Sequence, residues 1–184
     1  MTMRFTSYAD IPRFTQFGSW ECDFQFDEAV AWVERHEVNM TPDFQRGIVW
    51  TRQQQEAWLE FFLRGKTSRV IYLNCPSWQG HRPRFNYDEF VCVDGLQRYT
   101  AIKRFVDGDV RAFGSFSHEY TDRMRGCQSV KLNVNDLQTR MEVLQYYLEM
   151  NSGGTPHTDA DLDPVREMLR NETRRRLASK NSLA

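Results

Sequence analysis

This sequence lacks the features that mark secreted, membrane-bound and zinc-binding proteins. Its four cysteines, Cys22, Cys75, Cys92 and Cys127, stand far apart, with no Cys-x-x-Cys pair and no neighbouring histidine pair. No zinc site or disulfide framework is therefore indicated, and we interpret the cysteines as buried thiols. No apolar run is long enough to span a bilayer, and the N-terminus does not have the charged-then-apolar layout of a signal peptide. We therefore expect a cytoplasmic protein with no membrane partner.

The chain also lacks an excess of one charge, an internal repeat and any low-complexity tract. A formal net charge of −1, from 24 basic and 25 acidic residues, argues against a globally basic nucleic-acid coat but leaves room for a local basic groove. With 184 residues, 40% of them hydrophobic, the chain can form one well-packed domain and is too short for two ordinary ones. We expect an irregular arm over residues 1–18 and one domain over 19–184, which includes a basic C-terminal helix.

Apolar periodicity predicts short strands that alternate with helices, which together form an α+β fold. The predicted strands are Trp20–Phe26, Val70–Leu73, Phe90–Val93, Val110–Phe116 and Val130–Val134. Five helices are predicted. The first follows Asp27, the second covers Arg52–Leu63, and the third follows Gly95. The fourth runs from a cap at Asp136 or Thr139 to Met150, and the last begins after Thr158.

The stretch 90–105 is the most informative part of the sequence, because a buried strand passes into a helix at Asp94-Gly95. The first turn of a helix presents unpaired N–H groups and a positive dipole end, which together suit an anion. The Gly95 amide, Gln97 and Arg98 are candidates to close on phosphate oxygens, and Asp94 is a candidate metal ligand or base. The alternative is a plain strand-turn-helix junction in which Asp94 only caps the helix.

Two further segments mix polar and apolar residues in a way that suits binding. In residues 40–50, Asp43, Gln45 and Arg46 are interleaved with apolar side chains, which indicates either a binding lip or a turn pinned to the core. In residues 151–158, His157 follows two glycines and is a candidate acid or base, although a helix end followed by a new helix cap explains the glycines as well.

Three segments in this order resemble the ParB/sulfiredoxin-like superfamily over about residues 20–160. They are Pro42–Arg46 with Trp50, Asp94–Arg98, and Asn151–Pro156. The resemblance implies a compact single-domain fold with a small mixed sheet flanked by helices, in which the Asp-Gly-x-x-Arg segment binds nucleotide phosphates at a strand-to-helix turn. Leu96 departs from the pattern, because a Gln or His usually follows the glycine.

Within this superfamily, a stand-alone chain of this size is similar to small phage-encoded kinases that act on 5-hydroxymethyluracil in DNA. The resemblance implies transfer of a phosphoryl group from ATP or GTP, with Mg²⁺, to the hydroxymethyl group of a base flipped out of DNA. A phage-encoded protein of this kind works in the host cytoplasm. Trp50, Trp78 or Tyr99 is a candidate to stack on the flipped base.

The same resemblance assigns roles to individual residues. Gly95, Gln97, Arg98 and Gln45 are expected to bind the nucleotide, and Asp94 to hold the metal ion. Asp94, or alternatively Asp43, faces the acceptor hydroxyl, while Arg46 neutralises charge on the transferred group.

Two other classes of function remain open. The first is an NTPase or nucleotide-sensing DNA-binding module of a restriction, anti-restriction or partition-like system. The second is a nuclease, which ranks lowest because the sequence has no clustered His, Asp and Glu set. Restriction members of the branch usually carry a nuclease domain after the shared domain.

Overall fold

The computed structural model describes residues 6, 11, 19–65, 67–78, 87–122, 129–152 and 159–181 of the chain. The strands in these ranges are β1 (Trp20–Gln25), β2 (Val70–Asn74), β3 (Val91–Asp94) and β4 (Ser129–Asn135). The α-helices are α1 (Phe26–Arg35), α2 (Arg52–Leu63), α3 (Leu96–Val106), α4 (Arg140–Ser152) and α5 (Asp159–Asn181). A short 3-10 helix lies at Ser117–Glu119. Within these ranges, no helix has both the length and the hydropathy needed to cross a membrane.

The strands form one mixed sheet in the order β1-β4-β2-β3. β1 pairs antiparallel with β4, β4 pairs parallel with β2, and β2 pairs antiparallel with β3. Because β2 and β4 are parallel, the chain must cross over between them, and it does so through β3 and α3. A small mixed sheet flanked by helices is the fold class that the sequence predicts, and the structure confirms it.

Each face of the sheet packs against helices, and the alternation of side chains along the strands decides which residues face which layer. Ile71 and Leu132 belong to a core that also contains Phe62 of α2, together with side chains of α1 and α3. Val93 belongs to a second core on the other face, with Leu144 of α4 and side chains of α5. Strand β3 therefore packs against both helical layers, with Cys92 in the first core and Val93 in the second.

Two elements differ from the sequence prediction. Val110–Phe116, predicted as a strand, makes among the described residues only the single bridge Ala112–Ser115. Positive φ angles of 50° at Phe113 and 80° at Gly114 reverse the chain there, so it cannot extend. Helix α1 begins at Phe26 rather than after Asp27, because the Gln25 backbone N–H donates to the Glu28 carboxylate at 3.2 Å and closes the first turn one residue earlier.

Of the two caps that the sequence offers for α4, the structure uses Thr139. The Glu142 N–H donates to Thr139 Oγ1 at 3.2 Å, and the Thr139 N–H donates to Glu142 Oε2 at 3.0 Å. These reciprocal bonds satisfy the first N–H groups of the helix. Asp136, the other candidate, is buried ahead of the helix.

The prediction of buried thiols is confirmed for Cys75 and Cys92, and burial raises the pKa of both thiols. It is wrong for Cys22, which is only half-buried because β1 lies at the edge of the sheet. Cys127 lies outside the described residues, as does the predicted irregular arm over 1–18 except for residues 6 and 11. The predicted division into this arm and a domain from residue 19 stays a prediction.

Candidate functional site at the carboxyl end of β3

An ion pair marks the end of β3. Arg98 Nη2 donates a hydrogen bond of 2.5 Å to Asp94 Oδ2, across one turn of α3. The Asp94 side chain is 34% exposed and that of Arg98 is 20% exposed, so the pair is partly screened from water. The N-cap of α3 is Gly95, and no side chain caps the helix. The interpretation of Asp94 as a helix cap is therefore wrong, because its carboxylate bonds to Arg98 instead.

Gly95 is required at this turn for reasons of packing. Its φ of 115° is one that side-chain-bearing residues rarely adopt, and a Cβ here would lie 3.1 Å from Ile71 Cα on the neighbouring strand. The close approach between the turn and β2 accounts for the glycine. Its predicted contact with a nucleotide remains a prediction.

Arg98 carries a nitrogen whose hydrogen bond is not made within the protein. Its Nε is buried and has no hydrogen-bond partner, although the Nη2 of the same guanidinium bonds to Asp94. An unmade hydrogen bond on a buried charged group is unfavourable by about 1–3 kcal/mol or more. The Nε–H is therefore available to donate a hydrogen bond to an oxygen of a ligand.

Gln97 and Gln45, both predicted to contact the nucleotide, are bonded to the backbone. Gln97 Oε1 accepts from the N–H groups of Val49 and Trp50 at 3.1 and 3.2 Å, and its Nε2 donates to Gly47 O at 3.0 Å. Gln45 Nε2 donates to Val93 O at 2.8 Å. These two glutamines fasten the loop 42–50 to β3 and to the first turn of α3.

The fastened loop brings Arg46 to the same region. Arg46 Nη1 lies 3.5 Å from Asp161 Oδ2 of α5, and both side chains are about 30% exposed. Tyr147 of α4 is buried near both ion pairs. Burial raises the pKa of Tyr147, and Arg46, Asp94 and Asp161 all lie close enough to act on its ionisation.

Asp43 lies in a different ion pair. Its two carboxylate oxygens accept from Arg140 Nη2 at 2.8 and 2.7 Å, at the start of α4. Its side chain is 61% exposed. Asp43 therefore has a cationic partner of its own. No contact between Asp43 and the Asp94–Arg98 pair supports its proposed role as the catalytic base.

The three aromatic residues suggested for base stacking lie in separate surroundings. Tyr99 is buried in the core, so it has no face to offer a base. The half-buried Trp50 packs against Trp58, with ring centroids 5.8 Å apart. Trp78 belongs to a half-buried cluster with Trp20 and Trp32, at centroid distances of 5.2 and 5.4 Å.

Of the third sequence segment, the structure describes only the start. Asn151 Nδ2 donates to Tyr147 O at 2.7 Å, which belongs to the end of α4. His157 lies outside the described residues, so its predicted role stays a prediction.

Within the described ranges, no group of three or more His, Cys, Asp and Glu side chains is placed to hold a metal ion. An open cleft of about 520 Å³ lies away from β3, between the start of α1 and the end of α3, and its lining includes Phe26, Phe105, His118 and Tyr120. None of the predicted site residues lines it. The convergence of charge at β3, rather than the size of a cleft, therefore identifies the candidate site.

Residues 31–126 match the model of the N-terminal domain of the GmrSD restriction endonuclease family. The chain belongs to this family. A comparison with curated proteins finds no significant match. Among solved structures, the chain is similar to the C-terminally truncated chromosome-partitioning protein ParB from Caulobacter crescentus complexed with CTP-γ-S. The two share 14% sequence identity with a TM-score of 0.40, and the alignment covers 75% of this chain and 56% of that one.

The match to the GmrSD N-terminal domain covers part of the candidate site. It includes the loop with Gln45 and Arg46 and the β3–α3 turn with Asp94 and Arg98, but it ends before α4 and α5. Among the alternatives drawn from the sequence, the restriction-system module is the one that this match supports. The match does not support the expectation of a 5-hydroxymethyluracil kinase.

Sequence reasoning missed Asp161 and Tyr147, which complete the polar cluster. Asp161 lies in α5 and faces Arg46, and Tyr147 lies in the apolar face of α4. The available signal was the Tyr146-Tyr147 pair in an otherwise aliphatic helix face, since a buried tyrosine usually needs a polar partner for its hydroxyl.

Proposed function

We propose that this GmrSD-family chain is a nucleotide-binding module of a restriction system, which holds the phosphates of a nucleoside triphosphate at the carboxyl end of β3. The observation that carries the proposal is that Arg98, in the first turn of α3, has a buried and unpartnered Nε, and that Arg46 belongs to the loop that Gln97 bonds to that turn. Guanidinium groups beside a helix N-terminus are a typical phosphate-binding arrangement.

The charges of the cluster show what must change when an anion binds. Arg46 and Arg98 are each paired with a carboxylate, Asp161 and Asp94, so the four groups together carry no net charge. A triphosphate gains little from a neutral cluster unless a carboxylate moves away or a cation accompanies it. The Arg46–Asp161 contact is the longer and more exposed of the two, so we expect it to open first.

A Mg²⁺ ion fits this arrangement only as a site shared with the nucleotide. Asp94 alone offers one partly exposed carboxylate, and Mg²⁺ is usually held by one or two carboxylates together with substrate phosphates and water. When bound, the ion would neutralise charge on the phosphates. The residues of the chain then bind and orient: Arg98 acts from α3 and Arg46 from its fastened loop, with the buried Tyr147 nearby.

The phosphate site is tested by titration calorimetry, which compares the affinity of wild type and Arg98→Ala for nucleotides with Mg²⁺. A charge-assisted hydrogen bond contributes about 1.5–3 kcal/mol, so loss of the guanidinium should weaken binding by about tenfold or more. Arg52→Ala is the matched control, because Arg52 forms an exposed ion pair with Glu56 at the same i, i+4 spacing. Equal affinities in the wild type and Arg98→Ala, with equal unfolding temperatures, would exclude the phosphate site.

Turnover assays identify the reaction, if any, of the bound nucleotide. With γ-labelled nucleotide, release of inorganic phosphate identifies an NTPase, and binding without release identifies a sensing module. Label on DNA that contains 5-hydroxymethyluracil, and not on thymine DNA, would instead support the kinase suggested by the sequence.

Asp94→Asn tests separately whether the Asp94 carboxylate affects nucleotide binding and whether it takes part in turnover with Mg²⁺. The substitution keeps the size of the side chain and removes its charge. In chelator it should leave nucleotide binding unchanged or tighter, because a like charge near the phosphates is lost. With Mg²⁺, any turnover should fall by orders of magnitude. Full turnover by Asp94→Asn would mean that its carboxylate takes no part in the reaction.

A further inference from the structure

A row of polar side chains crosses the whole sheet and ends at Asp94. In the strand register, Glu21 of β1 lies opposite Asn133 of β4, Asn133 opposite Tyr72 of β2, and Tyr72 opposite Asp94 of β3. The irregularity between Tyr72 and Leu73 brings Asp94 into this row. Glu21 is exposed at the edge of the sheet, but Asn133, Tyr72 and Asp94 are buried or half-buried, and packing normally selects apolar side chains at such positions.

The orientation of the Asn133 amide is fixed by its neighbour. Its Nδ2 donates to Glu21 Oε1 at 2.6 Å, and an ionised carboxylate can only accept, so the amide cannot be turned the other way. Asn133 Oδ1 is consequently the atom that faces away from Glu21. That oxygen is buried and has no hydrogen-bond partner, in a residue that is only 5% exposed. Native proteins rarely leave such an acceptor without a donor.

Two half-buried tyrosines lie on the face of the sheet that holds this acceptor and Asp94. Tyr72 is the neighbour of both in the row, and Tyr146 of α4 covers the same face. Burial raises the pKa of Tyr146, the nearby Asn135 side chain lowers it, and Tyr72 and Asp94 lie close enough to raise it further. Both tyrosines therefore pack against the second core on the face of the sheet that holds Asn133, and both lie near Asp94.

We propose that this row is the nucleoside-recognition part of the site, in which Asn133 Oδ1 accepts a hydrogen bond from an N–H of the base and Tyr72 and Tyr146 contact its ring. The inference rests on the proposed phosphate site. Neighbouring strands are about 4.8 Å apart, so Asn133 lies about 10 Å from Asp94 across β2, a span that an extended nucleotide bridges from phosphates to base. Asn133 acts here as a specificity residue, without a part in the chemistry.

The test compares the four common nucleoside triphosphates and inorganic triphosphate on wild type and Asn133→Leu. Wild type should bind the nucleotide of one base at least about tenfold more tightly than that of another. A base without the matching N–H leaves the buried Asn133 oxygen without a donor, which weakens binding by about this factor. In Asn133→Leu the spread should shrink to within about threefold. The affinity for inorganic triphosphate should stay within about twofold of wild type. Asn171→Leu, on the exposed face of α5, is the matched control.

The outcomes separate this inference from the function on which it rests. If inorganic triphosphate binds wild type and Arg98→Ala abolishes that binding, while all bases bind wild type equally, the nucleoside-recognition row is excluded and the phosphate site stands. If neither triphosphate nor nucleotides bind, the phosphate site itself fails. If Asn133→Leu does not fold, the test uses wild type and an analogue of the preferred nucleotide that lacks the base N–H groups. An affinity for this analogue equal to that for the nucleotide itself would overturn the proposal.

Discussion

Replacing Gln97 with leucine separates direct phosphate contact from loop positioning. Gln97 makes three hydrogen bonds to the backbone of the loop 47–50 and belongs to the first turn of α3. Leucine has nearly the same size and a similar helix propensity, so the substitution removes the bonds and leaves the helix intact. If Gln97 holds the loop, Gln97→Leu must weaken both the folded state and the placement of Arg46.

The size of the effect depends on the groups left without partners. Each hydrogen bond contributes about 0.5–1.5 kcal/mol net, which gives an upper limit of about 1.5–4.5 kcal/mol for three. The loop is largely exposed, so water can replace part of this, and we expect a loss of about 1–2 kcal/mol in the free energy of unfolding. For a chain of this length, that loss lowers the unfolding temperature by about 2–8 °C.

The assay is thermal unfolding with and without nucleotide, with Gln53→Leu on the exposed face of α2 as the matched control. Gln97→Leu should lower the unfolding temperature of the nucleotide-free protein, and the control should not. Nucleotide affinity should fall as well, because Arg46 is held less firmly. An unchanged unfolding temperature combined with a large loss of affinity would refute the positioning role and return Gln97 to direct phosphate contact.

Three further substitutions test single contacts. Asp161→Asn should raise nucleotide affinity several-fold in calorimetry at low salt, because it releases Arg46 without removing it; weaker binding would mean that Asp161 supports the site. Gly95→Ala should lower the free energy of unfolding in denaturant titrations by about 1–3 kcal/mol, since φ is positive and Ile71 blocks the Cβ, and a neutral effect would contradict this packing. Burial raises the pKa of Tyr99 to about 12, so the folded state holds a proton that the unfolded chain loses near pH 10. Stability should therefore fall from pH 10 to 12, by at most about 1.4 kcal/mol per pH unit for this group, and Tyr99→Phe should reduce that slope in unfolding titrations.

Local sequence patterns determined much of what could be predicted of the fold. The helix Arg52–Leu63 and the strand-to-helix passage at Gly95 follow from signals within a few residues, and the structure has both. The short turn at Phe113 was missed because positive φ at a phenylalanine has no sequence signature. The site was harder, since Asp161 meets Arg46 only through the packing of α5, which a pattern along the chain does not contain.

The glutamines show why a motif can identify the right place and still mislead about roles. Gln45 and Gln97 lie beside charged residues, which made direct phosphate contact the natural interpretation. Their partners are backbone groups 47 residues away or more, between the loop and β3 and between α3 and the loop. The two glutamines hold the loop that carries Arg46 against β3 and against α3, which carries Arg98, and so fix the position of one arginine relative to the other. An anion site made of two arginines depends on the distance between them more than on any extra amide, because two charges bind one phosphate chain together only if both reach it.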